Sequence, residues 1–256
     1  EAKVQAIGGS SAGVYVDGRV RVASLFRGIT PRERFEREAA PIFKAIEQAW
    51  GVPLRLENDG DVTALAGAIA LNDGAVLGLA MGSSLAGGYV DDQRAIKGWM
   101  NDLAFAPVDY NPRAVVDEWS RDFGVGANYF SQQAVARLIP LAGITMPDLP
   151  EHDFPKRLLR VQELMAAGDE RARGIYETIG VYLGYSVAHY SDFYPCVRHV
   201  EVLGRVVSGE GGKIILDEAK ALLRREFPAL AVNFYEPDER EKRHGQAAAA
   251  ASLPLA

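Results

Sequence analysis

The chain has 256 residues, 48% of them apolar, a net charge of −6 and a single cysteine, Cys196. That is enough apolar material for a sizeable core, in one large domain or two modest ones. The acidic balance argues against a nucleic-acid-binding face, and one thiol excludes an intrachain disulfide or a cysteine-rich zinc site. No uninterrupted apolar run is long enough to span a bilayer and no signal peptide is visible, so the expectation is a cytoplasmic protein with neither membrane nor nucleic-acid partners. Glu1 in place of Met, leading almost at once into a strand pattern, reads as the start of a segment within a longer protein.

Val4 to Ile7 and Val14 to Val16 read as short strands around a Gly/Ser turn, and the alternation from Arg19 to Ser24 continues the pattern. A helix follows. Thr30 is placed as N-cap, Pro31 as first helical residue and Glu33 as partner in a capping box. Phe35, Ala39, Ile42, Phe43 and Ile46 recur at helical spacing until Gly51 ends the run. Val52 to Asn58 is a strand, and a helix of small residues follows, with Ala64, Ala68 and Leu71 suited to close packing. Residues 75–93 read as a β-hairpin around Gly82-Ser83-Ser84. The order of elements indicates an α/β fold.

Residues 99–128 are irregular and rich in Asp, Asn, Pro and aromatics, which suggests a functional or capping insertion. Helices are expected over Ser131 to Leu141, Phe154 to Ala167 and Asp169 to Tyr190, the last with Tyr176, Tyr182 and Tyr185 on one side. A strand from His199 runs into a glycine turn, then a helix from Lys213 to Phe227, a strand through Asn233 to Tyr235 and a last, alanine-rich helix that packs tightly. His152, His189, His199 and His244 have no metal spacing and read as structural or exposed. Cys196 is expected to be a small buried hydrophobe. Trp99, Trp119 and Tyr129 are suited either to stacking on a ligand or to packing.

Three segments carry chemistry. In Leu56-Glu57-Asn58-Asp59-Gly60, a strand tip delivers Asp59 where open α/β sheets place their sites. There it can take a proton from a hydroxyl, with Asn58 beside it; an Asx turn or helix cap explains the same residues. Gly82, Ser83 and Ser84 allow backbone N–H groups to approach phosphate, or form an ordinary hairpin turn. The strand, glycine turn and helix around Gly204 could cup an adenosine, a weak signal alone.

In this order and spacing the three segments resemble the ROK family of sugar kinases and repressors, over about Val4 to Phe234 and most closely over Leu56 to Val90. The resemblance implies a ribonuclease-H-like (actin-like ATPase) mixed sheet flanked by helices, with an incomplete first lobe. It implies residues 1–57 as the remainder of an N-terminal lobe, and 58–256 as the C-terminal lobe with an insertion at about 99–130. It makes Asp59 the catalytic base, Asn58, Gly13 and Asp102 sugar contacts, and Gly82, Ser83, Ser84 and Gly204 nucleotide contacts. ATP and Mg²⁺ are implied as cofactors, a sugar as substrate and a homodimer as assembly.

The stretch Ala6-Ile7-Gly8-Gly9-Ser10 imitates the family's first phosphate loop, but with Ala6 at the magnesium-linked aspartate. Its distance from Asn58 fits a later segment beside the sugar instead, with Gly13 at that segment's glycine and Val14 to Val20 as the hairpin. On either reading the magnesium-linked aspartate is missing. Other departures are Asp102-Leu103-Ala104-Phe105 at the family's Glu-x-Gly-His, and Phe123 to Val135 in place of its zinc cluster, so no zinc is expected. These departures keep open a second reading, a non-catalytic binding or regulatory protein.

Overall fold

A computed structural model describes residues 3–194 and 196–255. The chain forms two compact units. Unit 1 holds residues 1–78, 88–101 and 237–256; unit 2 holds 79–87 and 102–236.

In unit 1, strand β1 (Ile7–Ser11) runs parallel to β4 (Leu54–Asn58), with Ile7 opposite Leu54 and Ser11 opposite Asn58. Gly8 to Ser11 therefore form a strand, not the expected turn, and the chain turns at Ala12-Gly13. The reason is steric. A Cβ on Gly8 would lie 1.7 Å from the carbonyl oxygen of Ala250, so glycine there lets the C-terminal helix lie on the strand. Strands β2 (Val14–Val16) and β3 (Arg19–Val22) form a hairpin whose turn residues, Asp17 and Gly18, both take positive φ.

The expected single helix after Thr30 is broken. Helix α1 (Arg32–Arg34) widens into a π turn over Phe35–Ala39, where the Ala40 N–H reaches the Phe35 carbonyl, and α2 (Ile42–Trp50) starts afresh after Pro41. Pro41 has no N–H to continue the ladder. Pro31, not Thr30, occupies the cap position, and the anticipated capping box does not form. Gly51 closes α2 at φ 64, as its position predicts. Phe35 and Ala39 still enter a core with Val20, Ala23 and Ala40.

Helix α3 (Asp59–Leu71) packs against α9 (Glu239–Ser252) through Val62, Ala249, Ala250 and Leu253, and α9 opens with a capping box between Asp238 and Glu241. Ala249 and Ala250 are buried in this contact while Ala247, Ala248 and Ala251 are exposed, so one face of the alanine run packs and the other does not.

Unit 2 contains the turn end of a hairpin formed by β5 (Val76–Met81) and β6 (Leu85–Val90). These strands join β7 (His199–Leu203) and β8 (Asn233–Tyr235) in the order β6-β5-β7-β8, with β7 and β8 parallel. Its helices are α4 (Ala127–Phe130), α5 (Gln132–Leu141), α6 (Phe154–Ala166), α7 (Glu170–Tyr190) and α8 (Gly209–Glu226). Ser131, Asp153 and Asp169 cap α5, α6 and α7 with their side chains. Helix α8 starts at Gly209 rather than Lys213, so the expected glycine turn is its first turn; a Cβ on Gly211 or Gly212 would run into Tyr176 or the Val207 carbonyl. Tyr176 is buried while Tyr185 is exposed, so the α7 tyrosines do not share a side; their spacing puts them half a turn apart. Cys196 is exposed, not buried, and lies in a turn at positive φ (74) rather than among the apolar residues around it.

The irregular segment has its own organiser. Asp117, 4% exposed, accepts from the backbone N–H groups of Trp119 (3.0 Å) and Ser120 (2.8 Å). Isolated bridges tie Pro107 to Val125 and Val116 to Phe123. Asp117→Ala strands two donors around a buried position and is expected to cost about 2–4 kcal/mol, read as a lower urea midpoint. A change within about 0.5 kcal/mol would deny Asp117 this role.

Candidate active site

In unit 1, the parallel pairing brings the ends of β1 and β4 to one edge. Asn58 is the N-cap of α3: its Oδ1 accepts from Gly60 N (2.8 Å), and its Nδ2 donates to the Gly13 carbonyl (2.9 Å). Both ends of the Asn58 amide are thus engaged by the fold, and Gly13 is held in the turn after β1. Asp59 is the first residue of α3, where the helix dipole favours a carboxylate. Burial nevertheless raises its pKa, and the Gly60 N–H bond opposes that rise.

Asp59 lines an open cleft of about 530 Å³ with Ser10, Ser11 and Gln246. Two contacts hold the cleft in shape. The Tyr15 hydroxyl lies 2.8 Å from Ser11 Oγ and 2.7 Å from the Ala12 carbonyl. Thr63 Oγ1 donates to the Asp59 carbonyl (2.9 Å) and accepts from Gln246 Nε2 (2.5 Å). A carboxylate, two hydroxyls and an amide on one rim suit a ligand rich in hydroxyl groups. Sequence reasoning missed Gln246, because nothing local in an alanine-rich helix signals it. It missed Ser10 and Ser11 as a rim because it read them as a turn.

Two residues along from Asp59 is a second acid, Asp61, which is 5% exposed. Its Oδ1 accepts from Asn101 Nδ2 (2.8 Å) and Tyr89 N (3.2 Å). Burial is the main cause that pushes its pKa up to about 6. Asp59 faces the cleft; Asp61 faces inward.

In unit 2, Gly82, Ser83 and Ser84 form the hairpin turn, with Gly82 N bonded to the Ser84 carbonyl (2.9 Å) and both serines exposed. Gly204 lies beside it. At φ 111 its Cβ would meet the Met81 carbonyl oxygen at 2.4 Å, and Val206 N bonds that same oxygen at 3.1 Å. The structure therefore brings Gly82 to Ser84 and Gly204 together around Met81. Ser208 precedes α8, but its hydroxyl donates to the Arg205 carbonyl (2.8 Å). Among the described residues no side chain caps the first turn of α8, whose N–H groups suit an anion. Asp102 is exposed, and its carbonyl accepts from Phe105 N. The Phe105 ring packs on Trp119 at 4.8 Å. Trp99 stacks on Tyr89 at 6.0 Å, and Tyr129 is buried with its hydroxyl on Asp109. No helix among the described residues is long and apolar enough to cross a membrane.

Family models and curated protein sequences give no match to the chain. Solved structures do. The ROK hexokinase from Thermus thermophilus superimposes with a TM-score of 0.72 at 20% identity, covering 98% of this chain and 80% of that one. A ROK family glucokinase from Streptomyces griseus, in complex with glucose and AMPPNP, gives 0.70 at 18% identity, covering 98% and 81%. A ROK transcriptional regulator, a homolog of the E. coli MLC protein, gives 0.72 at 17% identity, covering 98% and 63%. The resemblance first read from three short motifs holds at the level of architecture: this chain has the fold of the ROK sugar kinases and regulators.

Proposed function

We propose that the protein is an ATP-dependent, ROK-type kinase acting on a sugar hydroxyl, with Asp59 as the base. The observation that carries this reading is the placement of Asp59: it stands at the tip of a parallel strand, on an open cleft rimmed by Ser10, Ser11 and Gln246, with its pKa raised. A carboxylate of raised pKa is a better proton acceptor. As Asp59 takes the hydroxyl proton, the sugar oxygen forms its bond to the γ-phosphorus and the bond to ADP breaks. Asn58 keeps the Asp59 turn in place through Gly60 and Gly13. Gly82, Ser83, Ser84 and Gly204 are assigned to the nucleotide, supported by their meeting around Met81 and by the uncapped start of α8. Mg²⁺ would neutralise phosphate charge. Asp102 is assigned to the sugar, and a homodimer to the assembly.

Calorimetric titration with ATP and Mg²⁺ tests the nucleotide site. Saturable binding is expected, weakened at least about tenfold by Gly204→Ala, since a Cβ there displaces the Met81 segment. Absence of binding by the intact protein would overturn the kinase reading. A screen of sugars for ATP-dependent phosphorylation follows.

A second reading, a sugar-responsive regulatory protein without turnover, is favoured by one feature. By the sequence resemblance Phe105 falls at the position of the family's sugar-facing histidine, and its ring packs on Trp119. That reading expects sugar binding with no phosphoryl transfer.

A further inference from the structure

Asp61 is an acid that the proposed chemistry does not use, and its surroundings suggest why it is there. One carboxylate oxygen joins three parts of unit 1: the first turn of α3, strand β6 through Tyr89 N, and residues 99–101 through Asn101 Nδ2. Asn101 is itself 6% exposed. The ring of Tyr89 stacks on Trp99 with an interplanar angle of 6°, so the 99–101 segment meets β6 on a second contact. A buried carboxylate is a costly way to fill space, and an apolar side chain would do so more cheaply. An acceptor that gathers two donors from separate segments is worth that cost when it fixes their relative placement.

The geometry points to Asp61 as a positioning residue: it locks the 99–101 segment and β6 onto the helix turn that presents Asp59, and so sets the orientation of the base. The role in turnover rests on the kinase reading; the lock itself does not. The charged groups acting on Asp61 are both carboxylates, Glu57 at the end of β4 and Asp59 in the same helical turn, and both favour its neutral form. Proton uptake turns two charge-assisted bonds into weaker neutral ones, so the lock tightens as pH rises through about 6. The Asp59 and Glu57 carboxylates act on Asp61 from close by, which makes a substitution at Asp61 the necessary control.

The test uses the full chain labelled with 5-fluorotryptophan, with the ¹⁹F resonance of Trp99 assigned through Trp99→Phe. Trp99 should shift between pH 4.5 and 8 with a midpoint near pH 6. In Asp61→Asn that titration should vanish, while Trp50 and Trp119 report an intact fold. In the exchanged pair Asp61→Asn with Asn101→Asp, the donor and acceptor trade places, and Trp99 should return to its wild-type position at pH 8. With any sugar that is turned over, Asp61→Asn should lower kcat about 10–100-fold with little change in KM, and the exchanged pair should recover most of it. A flat Trp99 resonance in the wild type, a titration that persists in Asp61→Asn, or no recovery in the exchanged pair would each overturn the inference. The resonance requires no turnover. Failure of phosphoryl transfer in the wild type would remove the kinase reading alone, and the exchanged pair would still be judged by Trp99.

Discussion

Asp59→Asn is expected to lower ATP-dependent phosphoryl transfer by about 10²–10⁴-fold while leaving the thermal midpoint unchanged or slightly raised. The loss follows from chemistry, since an amide cannot accept the hydroxyl proton. The retained stability follows from the direction of the pKa shift. Burial raises the Asp59 pKa, so the folded state holds its proton more tightly than the unfolded chain does. Between the unfolded and folded pKa values the folded state binds more protons, and stability falls as pH rises through that window. At neutral pH the ionised Asp59 is therefore a local cost, which asparagine removes. Asparagine also keeps an oxygen for the Gly60 N–H, 3.2 Å from Asp59 Oδ1 in the wild type. The wild-type rate should rise with pH through the raised Asp59 pKa and then level. A variant with lost activity and a much lower midpoint would assign Asp59 a structural role, and unchanged activity would remove it from the chemistry.

The parts of the fold that the sequence made legible are those governed by local rules. Gly51 closes α2, Asp169 and Ser131 open helices, and the hairpin around Gly82 forms where alternation and a turn place it. What it hid depends on contacts distant in the chain. Gly8 and Gly9 have the composition of a phosphate loop, yet the constraint on Gly8 is Ala250, over two hundred positions away. Thr30 and Pro31 carry the right residues for a helix start, but the chain enters the helix one residue later and Pro41 then breaks it. The candidate site divides in the same way. Asn58 and Asp59 were visible because a strand-to-helix junction is a local signal. Gln246 and Asn101 were not, since only tertiary structure carries them to Thr63 and Asp61.

Gly8→Ala is expected to destabilise unit 1 by about 3 kcal/mol or more. The new Cβ would fall 1.7 Å from the Ala250 carbonyl oxygen and 2.6 Å from its carbon. Neither side can yield cheaply. Strand β1 is fixed by its register with β4 and by the bond from Ile7 N to the Pro53 carbonyl (2.8 Å). Helix α9 is held on α3 by Val62, Ala249, Ala250 and Leu253, and Arg55 Nη1 donates to the Leu253 carbonyl at 3.1 Å. Two neighbouring changes serve as controls. At Gly9 the nearest atom is the flexible end of Leu56, 2.7 Å away, so Gly9→Ala should cost below about 1.5 kcal/mol. Gly51 has open space but a φ of 64, so Gly51→Ala should cost about 1 kcal/mol of backbone strain. Urea midpoints at constant slope rank the three. The order Gly8, then Gly9 and Gly51 well below it, is what a strand packed under a helix demands. A phosphate loop demands a different result: Gly8→Ala would keep its midpoint and lose nucleotide binding, because the glycine would then serve the ligand and not Ala250.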